Sequence, residues 1–145
     1  MSIPQSGGGP IERHEQLAEL LAKGCKPKED WRIGTEHEKF GYCKDTHKPL
    51  PYEGERSIKA ILEGLRDEYN WAPVAEGGNI IGLTKDGANV SLEPGGQLEL
   101  SGAPLENIHQ VCSESSKFLK EIEGASKGLN INTVSIGFDP FNNLS

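Results

Sequence analysis

Methionine occurs once in this chain, and aromatic residues make up only 6% of it. Hydrophobic residues reach 34% against 26% charged, so the core is lean and the balance hints at a piece of something larger. No apolar run approaches the roughly 20 residues a membrane helix needs, so no span is expected. Basic residues are outnumbered, 15 against 22, for a formal net charge of −7. That excludes the basic stripe by which proteins hold nucleic acid. Cysteines number three, Cys25, Cys43 and Cys112, and their wide spacing contains no CxxC. A zinc knuckle and a redox pair of that type are thereby excluded. Free thiols fit a reducing compartment, and the opening "MSIPQSGGGP" lacks the charged and apolar regions of a secretory signal. The expectation is a cytoplasmic protein. No Walker A string, no GxGxxG and no GxSxG elbow occurs, which removes the P-loop, the dinucleotide fingerprint and the serine-hydrolase turn.

Glycine and proline, by contrast, are well represented, at 18 and 9 residues, and punctuate the chain with turns. The 145 residues are the size of one domain. Residues 1–9 read as a flexible lead-in rich in Gly and Ser, and residues 10–145 as the folded part. A helix is expected over 10–24, with Pro10 at its start and Gly24 at its end. A strand follows over 31–43. A second helix spans 56–69, where Ile58, Ile61, Leu62 and Leu65 fall on one face. Short strands are expected over 71–75, 79–84, 88–93 and 96–101, separated by Gly77-Gly78, Asp86-Gly87 and Gly95-Gly96. A long helix over 104–127, with Leu105, Ile108, Val111, Cys112, Phe118, Leu119 and Ile122 apolar, precedes a last strand over 131–140. Antiparallel strands with helices on one face make an α+β fold. The chain ends soon after a strand, which suggests that a further C-terminal part belongs to the sheet.

Two stretches carry like charges side by side. In "GTEHEKF", Glu36 and Glu38 point to one strand face together with Phe40, and His37 points away. In "GGQLELS", Leu98 and Leu100 face one way, while Gln97, Glu99 and Ser101 face the other. Adjacent carboxylates repel unless a cation neutralises them. Mg²⁺ is the hard, oxygen-seeking ion that would do so, bound through few carboxylates plus substrate phosphates. Spacing on its own favours a solvated strand face. His37 reads as a packing or hydrogen-bonding residue. Arg32 could meet an anion, although a surface ion pair suits it better. Pro94-Gly95-Gly96 reads as a tight turn that delivers Gln97 and Glu99. Cys112, on the apolar face of the long helix, reads as a buried, inert thiol in preference to a reactive one.

"WRIGTEHEKFGY", "EGGNIIGLTKDGANVSLEPGGQLELSGAPLENIHQVC" and "GFDP" together closely resemble the amino-terminal region of glutamate–cysteine ligase, in the form shared by plants and many proteobacteria. The resemblance runs in order from about Glu15 to Pro140. It implies a glutamine synthetase-like catalytic sheet, curved and mostly antiparallel, of which this chain is the amino-terminal, truncated part. It implies ATP-dependent activation of the glutamate side-chain carboxylate as an acyl phosphate, then attack by the cysteine amine, giving γ-glutamylcysteine, the first step to glutathione. By position, Glu36, Glu38, Glu99 and Glu106 would hold Mg²⁺, the first three as catalytic groups. Glu93, Gln97 and Arg32 are candidates for substrate or nucleotide contacts, and Cys112 is a redox candidate. Family members run to several hundred residues, so this chain alone is expected to be inactive. Two other readings remain: a carboxylate–amine ligase of the same superfamily with another acceptor, and a non-catalytic module that binds a divalent cation.

Overall fold

A computed structural model of the chain describes residues 9–139. The proposed flexible lead-in therefore lies, but for Gly9, outside the described residues, as does the end of the last expected strand.

The apolar spacing at 58, 61, 62 and 65 produces helix α2 (Ile58–Tyr69), whose four apolar residues are all buried. Ser57 caps its start by accepting the Ala60 amide at 3.1 Å and donating to the Gly54 carbonyl at 2.7 Å. Asn70 ends it in the left-handed region, at φ 59°. Helix α1 (His14–Lys23) buries none of its residues, and Leu20 and Leu21 stand in solvent. It starts four residues later than Pro10.

Six strands form one antiparallel sheet in the order β2-β3-β4-β5-β1-β6. They are β1 (Glu36–Cys43), β2 (Ala72–Glu76), β3 (Asn79–Lys85), β4 (Ala88–Glu93), β5 (Gln97–Ser101) and β6 (Ile131–Val134). The four middle strands are a meander made by turn chemistry. Gly77 and Gly78 close β2 on β3, and Asp86 and Gly87 close β3 on β4. All four have positive φ, the signature of the two-residue turn whose twist suits a hairpin. Gly95 and Gly96, at φ 80° and 82°, make the longer β4–β5 link. The earliest strand, β1, then inserts beside β5, the last of the meander.

One sheet face is apolar. Leu83, Val90, Leu98 and Leu100 are fully buried there and join Ile61, Leu62 and Leu65 of α2 with Phe118 and Ile122 of helix α3 (Ile108–Ala125). The two helices approach closely at Gly64, where an added Cβ would lie 3.0 Å from the Ala125 Cβ. Gly64→Val is therefore expected to overpack this crossing and lower unfolding free energy by about 1–3 kcal/mol. Urea denaturation reads this directly, and an unchanged midpoint would show that the helices separate freely.

Four expectations move. The strand placed over 31–43 begins at Glu36; ahead of it only Ile33 bridges, to Leu105. The long helix begins at Ile108, because Asn107 caps it by accepting the His109 and Gln110 amides, each at 3.1 Å. Glu106 thus precedes the helix. The apolar face assigned to α3 is half right: Val111, Phe118 and Ile122 are buried, but Ile108, Leu119 and Cys112 are exposed. Cys112 is consequently not a buried thiol. The last strand ends at Val134.

Candidate functional site

Strand register decides which polar side chains meet. Glu38 lies directly opposite Glu99, Glu36 opposite Ser101, and Phe40 opposite Gln97. On the other side of β5, Ser91 lies opposite Glu99, Asn89 opposite Ser101 and Glu93 opposite Gln97. Directly opposed residues share a face, with Cβ atoms about 5 Å apart. The face turned away from the helices therefore gathers Glu36, Glu38, Glu93, Gln97 and Glu99. His37 and Lys39 oppose Leu100 and Leu98 and belong to the other face. The expected direction of His37 is thus observed.

Burial differs sharply within the set. Glu99 is 8% exposed, whereas Glu36 and Glu38 stand in solvent. A carboxylate so buried needs a donor, and the Ser101 hydroxyl donates to its Oε1 at 2.9 Å. The Ser91 hydroxyl donates likewise to Glu93 Oε1 at 3.2 Å. Sequence reasoning placed Ser101 on this face but gave neither serine a role. The visible signal was a hydroxyl two positions from a glutamate on one strand, which puts both on the same side. Asn89 Oδ1, also on this face, is buried without a hydrogen-bond partner among the described residues.

Beyond Phe40, β1 pairs with β6 on its outer edge, but ahead of it that pairing has stopped. A depression of about 390 Å³ opens there, lined by Glu36, His37, Glu38, Ser135 and Ile136. Behind it, Lys39 is buried and donates to the Ser135 hydroxyl at 2.6 Å, and burial pushes its ammonium below the usual lysine range.

Three candidates sit elsewhere. The Glu106 carboxylate lies 4.0 Å from the Arg32 guanidinium, both partly exposed, at the Ile33–Leu105 bridge beyond the end of the strands. Arg32 also donates to the Trp31 and Glu29 carbonyls at 2.8 and 3.0 Å. The surface ion pair favoured for Arg32 is what the structure shows. Cys112 is exposed on α3, and Cys25 and Cys43 are also free thiols.

Among the described residues, no three of His, Cys, Asp and Glu converge into a set that could hold a metal ion. The donors on this face nevertheless suit Mg²⁺, since they are all oxygens. Glu38 and Glu99 are in register, and Mg²⁺ takes one or two carboxylates together with substrate phosphates.

The sequence pattern that defines glutamate-cysteine ligase family 2 (GCS2) matches residues 32–145. This chain belongs to that family. The matched span begins at Arg32 and contains the whole carboxylate face. Glutamate–cysteine ligase A, chloroplastic, of Oryza sativa subsp. japonica is 48% identical over 126 residues, which cover 87% of this chain and 25% of the relative. The chloroplastic glutamate–cysteine ligase of Nicotiana tabacum is 48% identical, over 87% of this chain and 24% of the relative. That of Arabidopsis thaliana is 45% identical over 131 residues, 90% of this chain and 24% of the relative. The chain thus spans about a quarter of the length of these family members.

These names also correct the cytoplasmic expectation, because the relatives are named as chloroplastic. Free thiols report a reducing environment, and that property does not single out the cytosol.

Proposed function

We propose that this chain contributes the metal-binding strands of an enzyme that joins the glutamate γ-carboxylate to the cysteine amine at the expense of ATP. The observation that carries the reading is the register of Glu38 against Glu99, with Glu36 beside them, inside the span the family pattern matches. Two like charges directly opposed across a strand pair destabilise a sheet. A cation between them and a triphosphate gives that arrangement a purpose.

In this reading Glu38 and Glu99, in register, would hold Mg²⁺ together with ATP phosphates, and Glu36 would join them only by a change of side-chain conformation. The ion, when bound, would supply charge neutralisation for phosphoryl transfer to the glutamate carboxylate. Glu99 is the fixed member, because it is buried and tied to Ser101. Glu36 and Glu38 are exposed, so no packing opposes their turning toward a ligand. Gln97 and Glu93, in register on the same face, are placed to orient the nucleotide or amino acid. Glu106 is a weaker candidate than position alone implied, since its charge is engaged with Arg32 at the strand ends. Cys112, being exposed, is open to thiol chemistry, and a redox role for it stays a proposal. The acyl phosphate formed from glutamate would then be attacked by the cysteine amine.

No position in register on this face of β1, β4 or β5 carries Lys or Arg. A metal can bridge a triphosphate to carboxylates, but holding the glutamate α-carboxylate and the phosphoryl group in transfer calls for such cations. The 145 residues alone are therefore expected to bind Mg²⁺–ATP but to form no γ-glutamylcysteine. Calorimetry should show Mg²⁺ and ATP binding together more tightly than either alone. Absence of specific heat would leave a solvated strand face as the correct description. Product formed by the purified chain, and abolished by Glu38→Gln, would overturn the claim that these residues are incomplete.

A further inference from the structure

We infer that Ser101 is a positioning residue that holds Glu99 for the cation. This inference rests on the metal-site reading above.

The geometry is asymmetric. Ser101 lies directly across from Glu36 on β1 and two positions from Glu99 on β5. A serine hydroxyl has one proton to donate. The Ser101 proton goes to Glu99 Oε1 at 2.9 Å, so the neighbouring Glu36 does not receive it. The recipient is the buried carboxylate of the set; Glu36 and Glu38 are exposed. Tying one oxygen of Glu99 restrains the carboxylate and leaves Oε2 for a second partner.

The face thereby contains one preset ligand and two adaptable ones. Such a division suits a metal that arrives with a nucleotide. The fixed carboxylate marks the place, and the solvent-facing pair closes on whatever coordination the phosphates leave open. An outer partner that orients a ligating carboxylate commonly changes metal affinity 10- to 100-fold when removed. Ser91 does not duplicate the role, because its hydroxyl is given to Glu93.

The test is Mn²⁺ binding in the presence of ATP, followed by electron paramagnetic resonance, on the parent chain and on Ser101→Ala, Ser101→Thr and Glu99→Gln. Thermal melting of each variant is recorded alongside. Ser101→Ala is expected to weaken Mn²⁺ about tenfold with the melting temperature little changed. Ser101→Thr restores the hydroxyl in a residue that strands accept readily, and should return affinity to within twofold of the parent. If Glu99→Gln loses Mn²⁺ while Ser101→Ala binds within twofold of the parent, Ser101 does not position the ligand, although the metal reading stands. If neither substitution changes Mn²⁺ binding, both inferences fall. Should Ser101→Ala melt early, the threonine variant decides: stable and still weak in Mn²⁺ binding, it refutes the role of the hydroxyl.

Discussion

Within a complete ligase of this family, Glu99→Gln is expected to lower turnover by about 10²-fold or more, the equivalent of about 2.7 kcal/mol in the barrier. The sheet itself should be as stable as before, or slightly more so. The two effects have opposite sign because they have different origins. Glutamine keeps the shape of glutamate and an oxygen that can accept the Ser101 proton, so the packing around this 8%-exposed side chain survives. The substitution also removes one of two charges that face each other across β1 and β5. Opposed like charges cost a few tenths of a kcal/mol and upward, and relieving them stabilises the apoprotein. What is lost is the anionic oxygen that a hard cation requires. Steady-state kinetics at saturating ATP, with a melting curve on the same preparation, check both halves. Turnover within twofold of the parent would remove Glu99 from the metal site. A drop in turnover matched by an early melt would assign it a structural role.

A second substitution, on the opposite face, should be the most damaging to stability. Glu121→Ala is expected to cost about 3–5 kcal/mol, a large share of the 5–15 kcal/mol that holds a domain of this size. Glu121 is buried on α3, and both of its oxygens are in use. The Trp71 indole donates to Oε2 at 2.7 Å, and Lys85 donates to Oε1 at 3.0 Å. Lys85 also donates to the Tyr69 carbonyl at 2.6 Å and lies 5.5 Å from the Trp71 ring centre. The Trp71 ring in turn meets Phe118 edge-on at 5.9 Å. One carboxylate therefore ties α3 to β3 and to the exit of α2. Its removal leaves the indole N–H without its acceptor and the part-buried Lys85 ammonium with the Tyr69 carbonyl alone, and breaking such a pair costs more than the intact pair contributes. Glu121→Gln keeps one acceptor and should lose less. Chemical denaturation of the two variants gives the comparison. A loss below 1 kcal/mol for the alanine variant would show that water reaches Lys85 readily.

Much of this architecture could be read from residue order. The spacing of Ile58, Ile61, Leu62 and Leu65 locates α2, and Asp86-Gly87 closes the β3–β4 hairpin, because helix period and turn chemistry are local properties. The alternation in "GQLELS" likewise separates Leu98 and Leu100 from Glu99 and Ser101 before any partner is known. Where helices begin was less legible. The Asn107 side chain accepts the His109 and Gln110 amides and so starts α3 there, leaving Glu106 outside it. The exposure of Cys112 was not legible either, since helical spacing groups residues by face but does not say which part of that face is covered.

The sequence by itself determined that two pairs of polar side chains would each stand on one side of a strand, because side chains alternate at every residue. Only the tertiary structure decided that β1, from before the meander, would lie beside β5, and in the register that sets Glu38 against Glu99. That pairing joins residues about sixty apart in the chain. It is chosen by the burial of Leu98 and Leu100 beneath α2 and α3, since a shift of one residue would turn the leucines to solvent and the glutamates into the core.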